Sequence, residues 1–189
     1  MPDPSSLEAS AGLPAWAVVG RKRLEHIRRV ADLAARWAAA MDVPSEERDR
    51  WLRAVWLHDA LRDAPEPELR RLAGDATASA DLLHGPAAAV RAAEEGERDQ
   101  GVLLAVRFHS IGSPDWDRAG RALYCADFLE PGRKFDREER AALAEAYPRD
   151  PEGVLVEIAR RRINNTVRRG WQILEPTWRF WNSLTSPRP

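Results

Sequence analysis

The chain has 189 residues, of which 44% are hydrophobic and 31% charged, with a formal net charge of -1. This composition suits a folded globular chain with a sizeable core and excludes a disordered one. The near-neutral balance leaves no footprint for nucleic acid, and no apolar run approaches the length of a membrane span.

The sequence reads helical almost throughout. Residues 1–13 are rich in Pro, Ser and Ala and are expected to be flexible. A first long helix is predicted from Pro14 or Arg21 to Met41, with Leu24, Ile27, Ala31, Ala34, Ala38 and Met41 at 3–4–3–4 spacing. Pro44-Ser45 breaks the chain. Ser45 is predicted as N-cap of a second helix, with Glu46 and Glu47 in its first turn. That helix is expected to reach Arg62, before Ala64-Pro65. A short helix follows over 66–73. Gly85-Pro86 is predicted to start the next, through Glu95. Further helices are expected over 99–110, 117–129, 136–146, 151–169 and 175–184. The penultimate one repeats Leu155, Ala159, Ile163 and Val167 at i+4. Strand-type alternation is missing, and no internal repeat or low-complexity linker divides the chain. The fold class is therefore all-α, a compact bundle over 14–184 followed by a tail at 185–189.

Compartment signals are sparse. The one cysteine, Cys125, excludes an internal disulfide and fits a reducing cytoplasm. The N-terminus MPDPSSLEAS lacks the basic and apolar regions of a signal peptide. Arginine far outnumbers lysine, which occurs only at Lys22 and Lys134. A genomic base bias explains that excess better than phosphate binding does.

The chemistry lies in four histidines, His26, His58, His84 and His109, on different predicted helices. His26 borders the apolar stripe of the first helix. His109 continues Val102 and Val106. His58 and Asp59, in WLHDALRD, share the face of Val55. Asp127 follows Leu123 by four residues inside ALYCADFL. A lone half-buried histidine is more often a hydrogen-bonded core residue than a ligand, and a lone inward aspartate is usually a cap or an arginine partner. His84 before Gly85-Pro86 could simply close a turn. Together these bland readings weaken, because imidazoles and carboxylates from facing helices are what a bundle-core metal site uses.

The order His26, His58-Asp59, Asp127 resembles the HD-domain metal-dependent phosphohydrolases. The segments RLEHIRRVADLA, WLHDALRD, LLHGPAAA, AVRFHSIGS, ALYCADFLEPGRKF and WQILEPTWRFWNSL narrow the resemblance to symmetrical diadenosine-tetraphosphate hydrolases of the YqeK type, over residues 21–184. The resemblance implies a helical hydrolase that splits diadenosine tetraphosphate into two ADP. It implies His26, His58, Asp59 and Asp127 as metal ligands, with Asp59, Asp127 and Arg62 as catalytic residues. Arg23 and Arg133 match nucleotide-contacting positions. His84 and His109 would lie at the phosphates or aid a second metal. Arg62 stands where the family usually has lysine, and HSIG and SPDWDR also depart from its pattern. These departures bear on substrate preference more than on reaction type.

The expected cofactor is a divalent or trivalent transition metal, iron first and manganese second, since mixed His/Asp ligation suits both. It would activate water and polarise a phosphoryl oxygen, while Arg23, Arg62 and Arg133 neutralise charge. The expected partner is a small nucleotide, not nucleic acid or membrane. Oligomeric state has no sequence signature here. The alternatives are another HD-type nucleotide phosphatase or phosphodiesterase, and a non-catalytic nucleotide-binding module. The Gly-Tyr-Pro motif usual in cyclic-dinucleotide phosphodiesterases is missing, as are P-loop and GxGxxG patterns. Arg160-Arg161-Arg162 reads as a solvated helix face.

Overall fold

The computed structural model describes residues 12–74 and 78–185. Residues 1–11 of the expected flexible segment and 186–189 of the expected tail lie outside them. The described residues form nine helices and no strand, as the all-α reading predicts. They are α1 (Arg21–Ala40), α2 (Ser45–His58), α3 (Glu66–Ala73), α4 (Ala80–Glu94), α5 (Gln100–Phe108), α6 (Arg118–Leu129), α7 (Arg137–Ala146), α8 (Pro151–Arg168) and α9 (Glu175–Thr185).

Several boundaries follow from local chemistry. Asp99, Asp117 and Asp150 each accept hydrogen bonds from amides of the helix they precede, which satisfies donors that otherwise have no intrahelical partner. Ser45 does not cap α2 as predicted. Pro44 holds the N-cap position with no side-chain bond, and Ser45 is the first helical residue. α2 also stops at His58, short of Arg62. α4 starts at Ala80 and runs through Pro86, so Gly85-Pro86 does not start a helix and His84 is helical. The apolar face of α4, with Leu83, Ala87 and Ala88 buried, outweighs the amide that proline lacks.

α2 is the hub, packed against α1, α4, α5 and α6. The main core joins Val30, Trp37, Trp51, Val55, Leu123, Tyr124, Leu155, Ile158 and Phe180. A smaller core of Leu61, Leu69, Leu72, Leu83, Ala87 and Val106 lies under α3 and α4. On α8 the stripe runs through Val154, Leu155, Ile158 and Ala159. The predicted continuation to Val167 fails, because Val167 is 58% exposed. Ile158 and Leu155 instead project the stripe toward Arg162.

The segment before α1 is tied to the turn after α2. Val18 N donates to Ala60 O at 2.7 Å, Asp63 N to Val18 O at 3.2 Å, and Gly20 N to Asp63 Oδ2 at 2.7 Å. This strap sets the start of α1, and so Arg23 and His26, against Asp59. Among the described residues no helix is long and apolar enough to cross a membrane.

Candidate metal centre

Two helices end on a histidine in the same way. His58 Nδ1 donates to Val55 O at 2.6 Å, and His109 Nδ1 donates to Val106 O at 2.8 Å. Terminal carbonyls of a helix lack intrahelical partners, so each imidazole satisfies one as the helix stops. A carbonyl only accepts, so Nδ1 carries the proton and Nε2 keeps its lone pair for the interior. Burial lowers the pKa of both rings, that of His109 to about 3 with help from neighbouring imidazoles. Both are therefore neutral, the form that ligates metals.

His26 is oriented by a carboxylate. Its Nδ1 donates to Glu130 Oε1 at 3.2 Å. Glu130 is itself held by Arg29 Nε at 2.5 Å and Gly132 N at 2.6 Å. Burial opposes ionisation of Glu130, but His26, Arg29 and Gly132 hold its pKa down at about 2. Burial lowers the pKa of His26, yet Asp127 and Glu130 outweigh that and raise it to about 8. The position favours a cation, whether a proton or a metal.

Asp59 lies at the centre of the cluster. Its Oδ2 faces His26 Nε2 at 3.6 Å and His58 Nε2 at 3.5 Å, and accepts from Arg23 Nη1 at 2.6 Å. Its Oδ1 faces His84 Nε2 at 3.1 Å and His109 Nε2 at 3.7 Å. Asp127 Oδ1 stands 3.2 Å from His26 Nε2 and accepts from Arg133 Nη2 at 2.6 Å. Burial would raise both aspartate pKa values. The imidazoles around Asp59, and Arg133, His26 and Arg162 around Asp127, hold them well below the usual carboxylate range.

This donor set fits a metal. His26, His58 and Asp59 form one buried group whose ligand atoms lie within 4.8 Å of one another, and Asp59, His84 and His109 form a second. Among the described residues, His26 Nε2 and His58 Nε2 are buried with no hydrogen-bond partner. A buried nitrogen left so costs about 1–3 kcal/mol unless something coordinates it. Beside His26 opens a cleft of about 530 Å³, lined in part by Lys22, Arg23, Arg29 and Arg133. Its charge suits an anion.

The predicted site residues fall into two sets. His26, His58, Asp59, Asp127, Arg23 and Arg133 converge, and His84 and His109 join them on the far oxygen of Asp59. Arg62 does not. Its side chain donates to exposed Asp81 at 2.9 Å, and among the described residues no side-chain hydrogen bond or ion pair joins it to the cluster.

Three further residues belong to the site. Glu130 lies one turn after Asp127, and that i+3 spacing is its sequence signal. Arg140 is buried and donates to Phe128 O, Glu130 O and Arg133 O, which shapes the turn that carries Arg133. Arg162 is not on a solvated face, for its Nη2 donates to Asp127 Oδ2 at 2.9 Å. Its signal was the i+4 step from Ile158.

Carboxylates that orient a ligating histidine typically contribute about 10–100-fold to metal affinity. Glu130→Gln is therefore expected to lose metal by about that factor, read as metal content after dialysis against a graded chelator. An unchanged content would contradict the orienting role.

A helical bundle with a buried His/Asp cluster able to hold a metal defines the class. The HD domain family model matches residues 23–159, and the chain belongs to that family. Three curated relatives are each named "Bis(5'-nucleosyl)-tetraphosphatase, symmetrical". The protein from Halalkalibacterium halodurans is 33% identical over 46% of this chain and 51% of its own length. That from Staphylococcus aureus is 30% identical over 59% of this chain and 60% of its own. That from Bacillus subtilis is 26% identical over 70% and 75%. The chain thus spans about half to three-fifths of the length of the first two. A solved structure from Clostridium acetobutylicum, described as a "predicted HD superfamily hydrolase involved in NAD metabolism", is similar with a TM-score of 0.79. Its identity is 25%, over 97% of this chain and 98% of that one.

Proposed function

We propose that this protein is a metal-dependent phosphohydrolase that cleaves diadenosine tetraphosphate symmetrically into two ADP. The observation that carries the reading is Asp59, whose two oxygens serve two ligand groups next to an arginine-lined cleft. The names of the three curated relatives support the substrate.

His26, His58, Asp59 and Asp127 would hold one metal. Asp59, His84 and His109 would hold a second, with Asp59 common to both groups. Iron fits this mixed set, and manganese is the alternative. A metal held there supplies a Lewis acid for a phosphoryl oxygen and makes water more acidic.

The remaining work belongs to side chains. Asp127 would accept a hydrogen bond from, and so orient, an attacking water. Arg23 and Arg133 already pair with the two catalytic carboxylates. With substrate bound, their free N–H groups would donate to phosphate oxygens as negative charge develops. Arg62 would act only after leaving Asp81, as a rim charge that draws the polyphosphate in. The bulk of the bundle excludes water from the imidazoles, which strengthens each of these interactions.

The test is product analysis. The purified protein, loaded with iron or manganese, is incubated with diadenosine tetraphosphate, and the products are separated. ADP alone is expected. AMP plus ATP would refute symmetrical cleavage. No turnover would move the reading to a non-catalytic nucleotide-binding module. The solved relative is described in terms of NAD metabolism, so pyridine dinucleotides belong in the same assay as the second substrate class.

A further inference from the structure

We infer that Arg162 is a positioning residue that holds Asp127 in a single orientation. The inference rests on the reading of Asp127 as a metal ligand. The two oxygens of this carboxylate have different partners. Oδ1 faces His26 Nε2 at 3.2 Å and takes Arg133 at 2.6 Å. Oδ2 takes Arg162 Nη2 at 2.9 Å. The bond from α8 thus turns Oδ2 away from the ligand cluster and Oδ1 toward it. An aspartate free to rotate about its last bond offers either oxygen, or both, to a cation. One held on Oδ2 offers one.

The same guanidinium reaches the other half of the site. Its Nη1 donates to Ser110 O at 3.2 Å. Ser110 follows His109, and its hydroxyl lies 3.1 Å from His109 Nε2. Arg162 thus links the Asp127 carboxylate to the backbone beside His109. The plane is braced by aromatic rings, 4.3 Å from the Tyr124 centroid and 5.4 Å from that of Phe128. A planar fork can span both partners, whereas a lysine ammonium is a single point and cannot. Among the described residues no other hydrogen bond or ion pair runs from α8 to the ligand cluster, so this side chain is how the helix reaches the site.

The test titrates metal-free protein with Mn2+ alone and follows the bound ion by electron paramagnetic resonance. Wild type is compared with Arg162→Met, Arg162→Lys and Arg160→Met, the last altering a neighbour that, among the described residues, pairs with Glu157. Arg162→Met is expected to bind about 10–100-fold more weakly at one site, with a changed line shape. Arg162→Lys should recover part of that loss, and Arg160→Met should match wild type. Melting temperatures of the metal-free proteins should stay close to one another. Wild-type affinity and line shape in Arg162→Met would overturn the inference. So would a raised KM with Mn2+ binding unchanged, which would mark a substrate contact instead. Should Arg162→Met fail to fold, wild-type behaviour in Arg162→Lys overturns it equally. If wild type itself takes up no Mn2+, the metal-site reading fails rather than the role of Arg162.

Discussion

Asp59→Asn is expected to abolish hydrolysis and to strip metal from both ligand groups. Asparagine keeps the shape of the side chain but removes the charge that both groups share. The variant loses the carboxylate facing His26 and His58 on one side and His84 and His109 on the other. Charge stabilisation by a bound metal supplies several kcal/mol to a phosphoryl transition state. At tenfold per ~1.4 kcal/mol, the activity loss should be on the order of 10³ or more. Single-group variants give the contrast. His26→Ala should spare metal bound by Asp59, His84 and His109, and His109→Ala should spare the first group. Metal content per chain, measured with kinetics for all three, checks this. Full metal content and activity in Asp59→Asn would sink the assignment of Asp59 as the shared ligand.

The core of the candidate site was legible because ionisable residues on a buried stripe violate the usual pattern. Asp59 and Asp127 continue apolar series, and both prove to be buried. What supports them was harder to read. His58 ends α2 by taking the carbonyl of Val55, a local competition between ring and helix that periodicity does not report. Arg162 was hidden in a run of three arginines, where composition suggested water. Its neighbours divide as they do because Arg160 and Arg161 reach Glu157, while Arg162 sits one step round the helix, on the side of Ile158. Glu130 was hidden by the end of α6. It reads as a loop residue in FLEPGR, yet it is the C-cap of that helix and turns back under His26.

Arg62 shows the opposite case. The resemblance put it among the catalytic residues because it stands three after Asp59 in the motif. The turn from Asp59 to Ala64 is not helical, being closed by bonds from Arg62 N to Asp59 O and from Ala64 N to Leu61 O. Sequence distance from Asp59 therefore does not carry Arg62 to the same face. Arg23, thirty-six residues away in sequence, is the arginine that meets Asp59.

Gly85→Ala is expected to push α4 away from the end of α5 and to disable the second ligand group. A Cβ at position 85 would lie 2.9 Å from Val106 O, 3.1 Å from Arg107 O and 3.1 Å from His109 Cε1. Two of these neighbours are backbone, and the third is a ring fixed by its own bond to Val106 O. None can yield cheaply. The close approach also sets the 3.0 Å separation of His84 Nε2 and His109 Nε2, since His84 precedes Gly85 directly. Overpacking of this kind costs about 1–3 kcal/mol. For a chain of this size that lowers the melting temperature by roughly 2–12 °C. Stability and function should part in a diagnostic way. Metal held by His26, His58, Asp59 and Asp127 should persist, because the three atoms nearest that Cβ belong to Val106, Arg107 and His109 rather than to α1, α2 or α6. Metal held through His84 and His109 should be lost, and activity should fall with it. Thermal melting, metal stoichiometry and turnover measured on the same preparation check all three parts. A variant that melts like wild type and retains full stoichiometry would show that the helix contact does not set the histidine spacing.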